Sequence, residues 1–241
     1  TTLRITINLL RFDILTVFPE MFESPLSSGV VGKALKNKII DVQCLDIRHF
    51  TSDQHKSVDD YPFGGGGGMI LKPEPIFEAV DHLKQNSDLE QSTPIILLSP
   101  QGRKLDQSKA EDLATNDRIV LICGRYDGVD ERVVKHLVTE EISIGDYVIS
   151  GGELAAMVLI DALARLQEHA LGSAESIKDD SHTSGLLQFP QYTRPSVFRE
   201  WEVPEVLLSG NHEEIKNFRE IESIKRTLDR RPDLIEGTDI N

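Results

Sequence analysis

Three short glycine-containing stretches carry the residue types from which a small-molecule site is built. They are SPQG at residues 99–102, GRYDG at 124–128 and IGDYVISGGEL at 144–154. Each lies just past an apolar run that reads as a strand. In parallel α/β sheets ligands bind beyond the carboxyl ends of strands, and glycine there lets a ligand approach backbone N–H and C=O groups closely. Three such stretches could line one pocket. The plainer alternative is three ordinary strand-to-helix turns.

Spacing removes other chemistries. Residues 64–68 are five consecutive glycines, but Met69 and Ile70 stand where a phosphate loop needs Lys and Ser or Thr. No predicted strand is followed by GxGxxG. Ser150 lies in VISGG, not in the GxSxG of a serine hydrolase. The seven histidines never take HExxH spacing and none pairs with a cysteine at ligand spacing, so a protein-bound structural metal has no support. Cys44 and Cys123 are too few and too far apart for a disulfide scaffold or a zinc site.

The elements that must position these stretches are legible in the pattern. Residues 12–18, 94–99 and 118–123 read as strands. Residues 105–115, with Leu105, Ala110 and Leu113, and residues 129–138 read as helices. This alternation predicts a mostly parallel sheet with helices on both faces, an α/β fold. Residues 153–166 are apolar almost all round and predict a buried helix. Its exceptions, Asp161 and Arg165, lie four apart on one face, where an ion pair is worth a few tenths of a kcal/mol. Residues 173–185, SAESIKDDSHTSG, are polar and aperiodic and read as a linker or mobile loop. Beyond them, Asn211 and Glu214 predict a helix start with a capping box. Ile215, Phe218, Ile221, Ile224 and Leu228 mark one helical face and Pro232 ends it. The expected organisation is a large domain over 1–172, a linker over 173–185 and a small, mainly helical domain over 186–241.

The chain has 241 residues, 39% of them apolar, enough for a buried core. The longest unbroken apolar run, 154–160, is seven residues, far short of a membrane span. Arg4, Arg11 and Asp13 interrupt the first eighteen residues, so they lack the apolar block of a signal peptide. The expectation is a soluble, cytoplasmic protein with no membrane partner. A net charge of −14 argues against non-specific nucleic-acid binding but not against a basic groove on an acidic body. From residue 175 onward nine Lys and Arg face fourteen acids. Lys225, Arg226, Arg230 and Arg231 nevertheless cluster near one helix end, and Arg194 and Arg199 flank Pro195. Such patches suit phosphates, and a basic helix end equally suits the helix dipole. Arg48, His49, His55 and Lys56, ahead of the glycine run, could also lie along a nucleic acid.

Taken in order, LSPQGRKLDQ (98–107), CGRYDGVDERV (123–133) and SIGDYVISGGEL (143–154) resemble the bacterial tRNA (guanine-N1)-methyltransferases, the TrmD family of the knotted SPOUT class. The resemblance extends to FDILTVFPEMF near the start, VDDYPFGGGGGM (58–69), YTRP (192–195) and LLSGNHEEI (207–215), nearly the whole chain. Asp127, Gly67, Ala155 and Leu97 depart from the family's common wording, which has Glu, Pro, Pro and often an aromatic residue there.

The resemblance implies methyl transfer from S-adenosyl-L-methionine to N1 of the guanosine at position 37 of tRNA. It also implies a homodimer with active sites shared between chains and a deep trefoil knot in the N-terminal domain. It assigns the general base to Asp180 in KDDSH, with Asp179 one residue away, and places Arg165 near the target base. It gives the cofactor to Leu98, Ser99, Pro100, Gly102, Gly124, Tyr126, Asp127, Ile144, Gly145, Tyr147, Val148, Ile149, Ser150, Gly151 and Gly152. Candidate RNA contacts are Arg194, Arg199, Lys225 and Arg226. Assistance by a divalent cation such as Mg2+ stays open, with no protein ligand set visible. Two other functions compete: a SPOUT methyltransferase acting on another RNA, and a non-catalytic RNA- or cofactor-binding module.

Overall fold

In the computed structural model, which describes residues 9–171 and 179–235, the chain divides into two units, Thr1–Gly172 and Ser173–Asn241. The first is organised by central strands whose side chains are buried on both faces, which is why these read as apolar runs. Strand β1 (Leu10–Thr16) is followed by helices α1 (Glu23–Leu26) and α2 (Gly29–Lys36) and strand β2 (Ile40–Asp46). A two-stranded ribbon, β3 (Asp59–Asp60) and β4 (Ile70–Leu71), brackets the glycine run and leads into α3 (Pro73–Asn86). Then come β5 (Ile95–Lys104), α4 (Gln107–Ala114), β6 (Arg118–Cys123), α5 (Glu131–His136), β7 (Glu140–Ser143) and α6 (Gly152–Leu166).

The five main strands form one sheet in the order β2-β1-β6-β5-β7, every neighbouring pair parallel. Alternate residues of each strand enter opposite cores. Phe12, Ile14, Leu98, Ile119 and Leu121 pack with α6, α2 and α4. Leu15, Ile95, Leu97, Val120 and Ile122 pack with α3 and α5. The expected α/β arrangement, a mainly parallel sheet with helices on both faces, is therefore present.

Strand β6 occupies the residues the pattern predicts. Strand β5 does not stop at 99 but runs to Lys104, with a register shift against β7 between Leu98 and Arg103. Gly102 makes this extension possible: a Cβ there would meet the Glu141 carbonyl carbon at 2.4 Å. The turn-like wording SPQG thus lies inside an irregular strand. Pattern reading also named no element over β2, α3 or β7. Strands β2 and β7 are the two sheet edges, half-buried and partly acidic, so they lack the continuous apolar run of a central strand.

The second unit contains a hairpin, β8 (Val197–Phe198) and β9 (Trp201–Glu202), a short helix α7 (Glu205–Leu208) and a long helix α8 (His212–Arg230). Asn211 caps α8, its side chain accepting from the N–H groups of Glu213 and Glu214. The reciprocal half of the expected capping box is made by Ser209, whose hydroxyl accepts from the Asn211 N–H at 3.1 Å. The predicted apolar face of α8 is only partly covered. Ile215 and Phe218 are half-buried, while Ile221, Ile224 and Leu228 are exposed. Thr227 is the buried residue of the helix and takes the N–H of Leu187, so residues 186–188 are held to α8 by hydrogen bonds as well as by apolar contact.

Among the described residues no helix is long and apolar enough to cross a membrane. Residues 1–8 and 173–178, which carry sequence expectations, lie outside the described residues.

Candidate active site

The three glycine stretches converge. Beyond the carboxyl ends of β6 and β7, beside the irregular middle of β5, lies one cavity of about 420 Å3. It is lined by Leu98, Ser99 and Pro100 from the first stretch, by Gly124, Tyr126 and Asp127 from the second, and by Ile144, Gly145 and residues 147–152 from the third. Fourteen of the fifteen residues expected at the cofactor are on its wall. Gly102 is not, because its missing side chain admits the β7 backbone. The cavity also has on its wall Leu97 and Ala155, two of the departures from the family's wording, and Gln101, Val129 and Val134, which the pattern did not single out.

Local folding explains the convergence. The N–H of Gly152 donates to the Gly124 carbonyl at 2.8 Å, and Arg125 pairs with Gly151 as an antiparallel bridge. The second and third loops are thereby stitched edge to edge. The segment after the glycine run is stitched on as well: the Asp127 N–H donates to the Met69 carbonyl, and that of Leu71 to Gly128. Gly145 holds φ at +152° and a Cβ there would strike the Tyr147 ring at 2.4 Å. Glycine at this turn is required by both conformation and space.

Beneath the loops lies an ion pair that sequence reading missed. Glu153, in the first turn of α6, is wholly buried. Its Oε2 lies 2.9 Å from Arg125 Nε, and its Oε1 accepts from the Thr16 hydroxyl at 2.8 Å. Nε and Oε2 meet off the N–H direction, so the contact is a charge pairing; neither atom has a hydrogen-bond partner among the described residues. Arg125 also donates to the Ser150 carbonyl and lies 4.5 Å over the Phe18 ring. A Cβ on Gly151 would collide with Arg125 Nε and Glu153 Oε2, so this glycine makes room for the pair. The signal was available: a carboxylate opening an apolar helix must have a partner.

Electrostatics favours a cationic ligand. Asp127, Glu131 and Glu141 line the cavity against one cation, Arg125, which Glu153 already neutralises. Cys123 lies below, at the end of β6, and burial pushes its thiol well above the usual range, reinforced by the Glu153 charge. Burial raises Cys44 likewise, to about 11. Neither thiol is a poised nucleophile. Among the described residues no group of three or more His, Cys, Asp or Glu is placed to hold a metal ion.

The remaining candidates are distributed over both units. Arg165 is half-buried near the end of α6, and Asp161 is exposed. Asp180 belongs to the second unit, half-buried at the head of a turn whose Thr183 N–H donates to its carbonyl. Arg194 is exposed beside a second cavity. Arg199 caps the β8–β9 hairpin, its guanidinium 5.4 Å from the Phe198 ring and 5.6 Å from that of Trp201. Lys225 pairs with Glu222 at 2.8 Å, and Arg226 donates weakly to the Gln188 carbonyl, so both have local structural partners.

A parallel α/β sheet whose strand-end loops enclose an acid-lined cavity defines a small-molecule-binding protein of the α/β class. The profile of the family described as "tRNA (Guanine-1)-methyltransferase TrmD" matches residues 10–237, and the chain belongs to that family. Relatives called tRNA (guanine-N(1)-)-methyltransferase agree. One from Dehalococcoides mccartyi (strain CBDB1) is 54% identical over 227 residues, covering 94% of this chain and 91% of its own. One from Geobacillus kaustophilus (strain HTA426) is 52% identical, covering 94% and 92%. One from Halalkalibacterium halodurans is 49% identical over 229 residues, covering 95% and 92%.

Proposed function

We propose that this protein transfers a methyl group from S-adenosyl-L-methionine to N1 of the guanosine at position 37 of tRNA. The observation that carries the reading is the meeting of the family's three motifs around one cavity. The proposal includes a deep trefoil knot in the first unit, a tRNA-binding second unit, and a cytoplasmic homodimer in which each site draws on both chains.

The cavity fits the cofactor. Its acidic wall, Asp127, Glu131 and Glu141, suits a ligand bearing an ammonium and a sulfonium. Backbone groups of Leu98, Gly124, Ile144, Gly145, Tyr147, Val148 and Ile149 would hold the adenine edge, with apolar side chains against its face, and Ser150, Gly151 and Gly152 would close the wall. Bound S-adenosyl-L-methionine supplies a methyl group already activated by positive charge.

The protein's own task is then to orient guanine and make N1 nucleophilic. N1 carries a proton, so a base must remove it. Asp180 takes that proton onto its carboxylate. Charge spreads towards O6 as the proton leaves, and the Arg165 guanidinium stabilises it.

Single-turnover methylation of a tRNA with guanosine at position 37 tests the assignment. Asp180→Asn should lose about a hundred- to ten-thousandfold in rate, with cofactor affinity unchanged, because the amide cannot accept the proton. Asp179→Asn should be mild. A loss of less than about threefold at Asp180 would refute the base, and a large loss at Asp179 instead would move it by one residue.

A further inference from the structure

The second unit has a cavity of its own, of about 560 Å3, within the range of small-ligand pockets. It is independent of the cofactor cavity and is built from residues of one unit. Phe189, Pro190 and Tyr192 supply flat apolar surface to its wall, and Arg194 and Arg219 supply two cations. The Arg219 guanidinium lies 4.8 Å over the Phe189 ring, a cation–π contact that sets a planar cation against an aromatic face on this wall. The side chains of Arg194, Arg219 and Tyr192 make no hydrogen bond or ion pair among the described residues. Asp179 is the one acid on the wall, so the cavity carries net positive charge. The unit around it is acidic: nine Lys and Arg face fourteen acids from residue 175 onward.

We propose that this cavity receives an unpaired base of the substrate RNA other than the methylated guanine. The inference rests on the RNA-methylating function proposed above. Two guanidinium groups without anionic partners, beside aromatic rings, match the chemistry of a nucleotide. The base stacks on the aromatic surface and the neighbouring phosphates meet the guanidinium groups. A carboxylate on the same wall accepts hydrogen bonds from an exposed base edge, which discriminates among bases in a way that stacking does not. Asp179 adjoins Asp180 in sequence, so a nucleotide held here also tethers the RNA strand close to the proposed base. An acidic partner protein would also satisfy the cations, but it would leave the aromatic surface without a stacking partner.

The test uses the full chain, loaded with S-adenosyl-L-homocysteine, and full-length tRNA transcripts in which each anticodon-loop nucleotide in turn is abasic. Binding is read by anisotropy. For the parent, one abasic position other than 37 should weaken binding by about five- to a hundredfold, the range for one stacked base. In Tyr192→Ala that penalty should nearly vanish while cofactor affinity stays unchanged. Arg219→Ala should weaken all transcripts alike and flatten the salt dependence. Both substitutions replace exposed side chains, so the fold should survive them. The proposal is overturned if no position other than 37 carries a penalty, or if Tyr192→Ala leaves that penalty intact. Binding and methylation of intact tRNA alongside either result would spare the wider function. A parent that neither binds nor methylates intact tRNA would overturn both.

Discussion

Glu153 and Arg125 couple the second and third loops of the cofactor cavity through a contact that solvent barely reaches. The Glu153 side chain is 0% exposed and that of Arg125 15%. Removing one member of a buried pair leaves an uncompensated charge, at a cost of about 3 kcal/mol or more. Glu153→Gln should therefore lower the free energy of unfolding by that amount, read as a lower denaturant midpoint, and weaken cofactor binding. The double variant Arg125→Met, Glu153→Leu should recover most of the stability, since apolar groups replace both charges, but not the binding. A Glu153→Gln protein as stable as the parent, measured by urea unfolding, would show that the pair does not bear on the fold. The thiols offer a second check. Burial raises Cys44 to about 11 and pushes Cys123 well up as well, against an ordinary value of 9.0. Both should resist alkylation at pH 8 in the folded protein and react readily in denaturant. The sign for stability follows from proton binding: as pH rises past 9.0 the unfolded thiols ionise and the folded ones do not. Stability should fall in that window, and substitution of both cysteines by alanine should reduce the fall.

Helix α8 holds much of the second unit together, and its start depends on one side chain. Asn211→Ala removes the acceptor for two otherwise orphaned N–H groups and should cost about 1 kcal/mol, read as a lower melting temperature with less helical signal. The element scale also shows what the sequence made legible. Strand β6 was evident because it is central and apolar on both faces, and α6 because a stretch with eleven apolar residues in fourteen has nowhere to go but the interior. Strands β2 and β7 were not, because an edge strand carries polar residues on its open side and loses the apolar run. The same limit applied at the site. Glycines announced the three loops, since backbone conformation selects for them locally. The Arg125–Glu153 pair was silent, since it joins residues 28 apart through a fold that the pattern gave only in outline. Gly102 carries a constraint that no local pattern announces: the close approach of the β7 backbone.

At the scale of the whole molecule, a net charge of −14 must coexist with an RNA substrate. Affinity should come from local cation patches and should fall with salt, as phosphate contacts require. Placing Asp180 and the cofactor motifs on separate units makes the origin of each active site a question of assembly. In the proposed homodimer, Asp180 of one chain serves the cofactor cavity of the other. Two defective chains can test this. Gly145→Leu fills the turn against the Tyr147 ring and should block the cofactor, while Asp180→Ala keeps the cavity and lacks the base. Each alone should be nearly inactive. Mixed one to one with full exchange of subunits, they form heterodimers as half of the population. In a shared-site dimer, one of the two sites in each heterodimer pairs an intact cavity with an intact base, so the mixture should recover about a quarter of the parent activity. If each site were built from a single chain, every chain would retain one defect and the mixture would stay inactive. Calorimetry with the cofactor on Gly145→Leu must show lost binding first; unchanged binding in a folded protein would mean that the cofactor cavity itself has been misplaced.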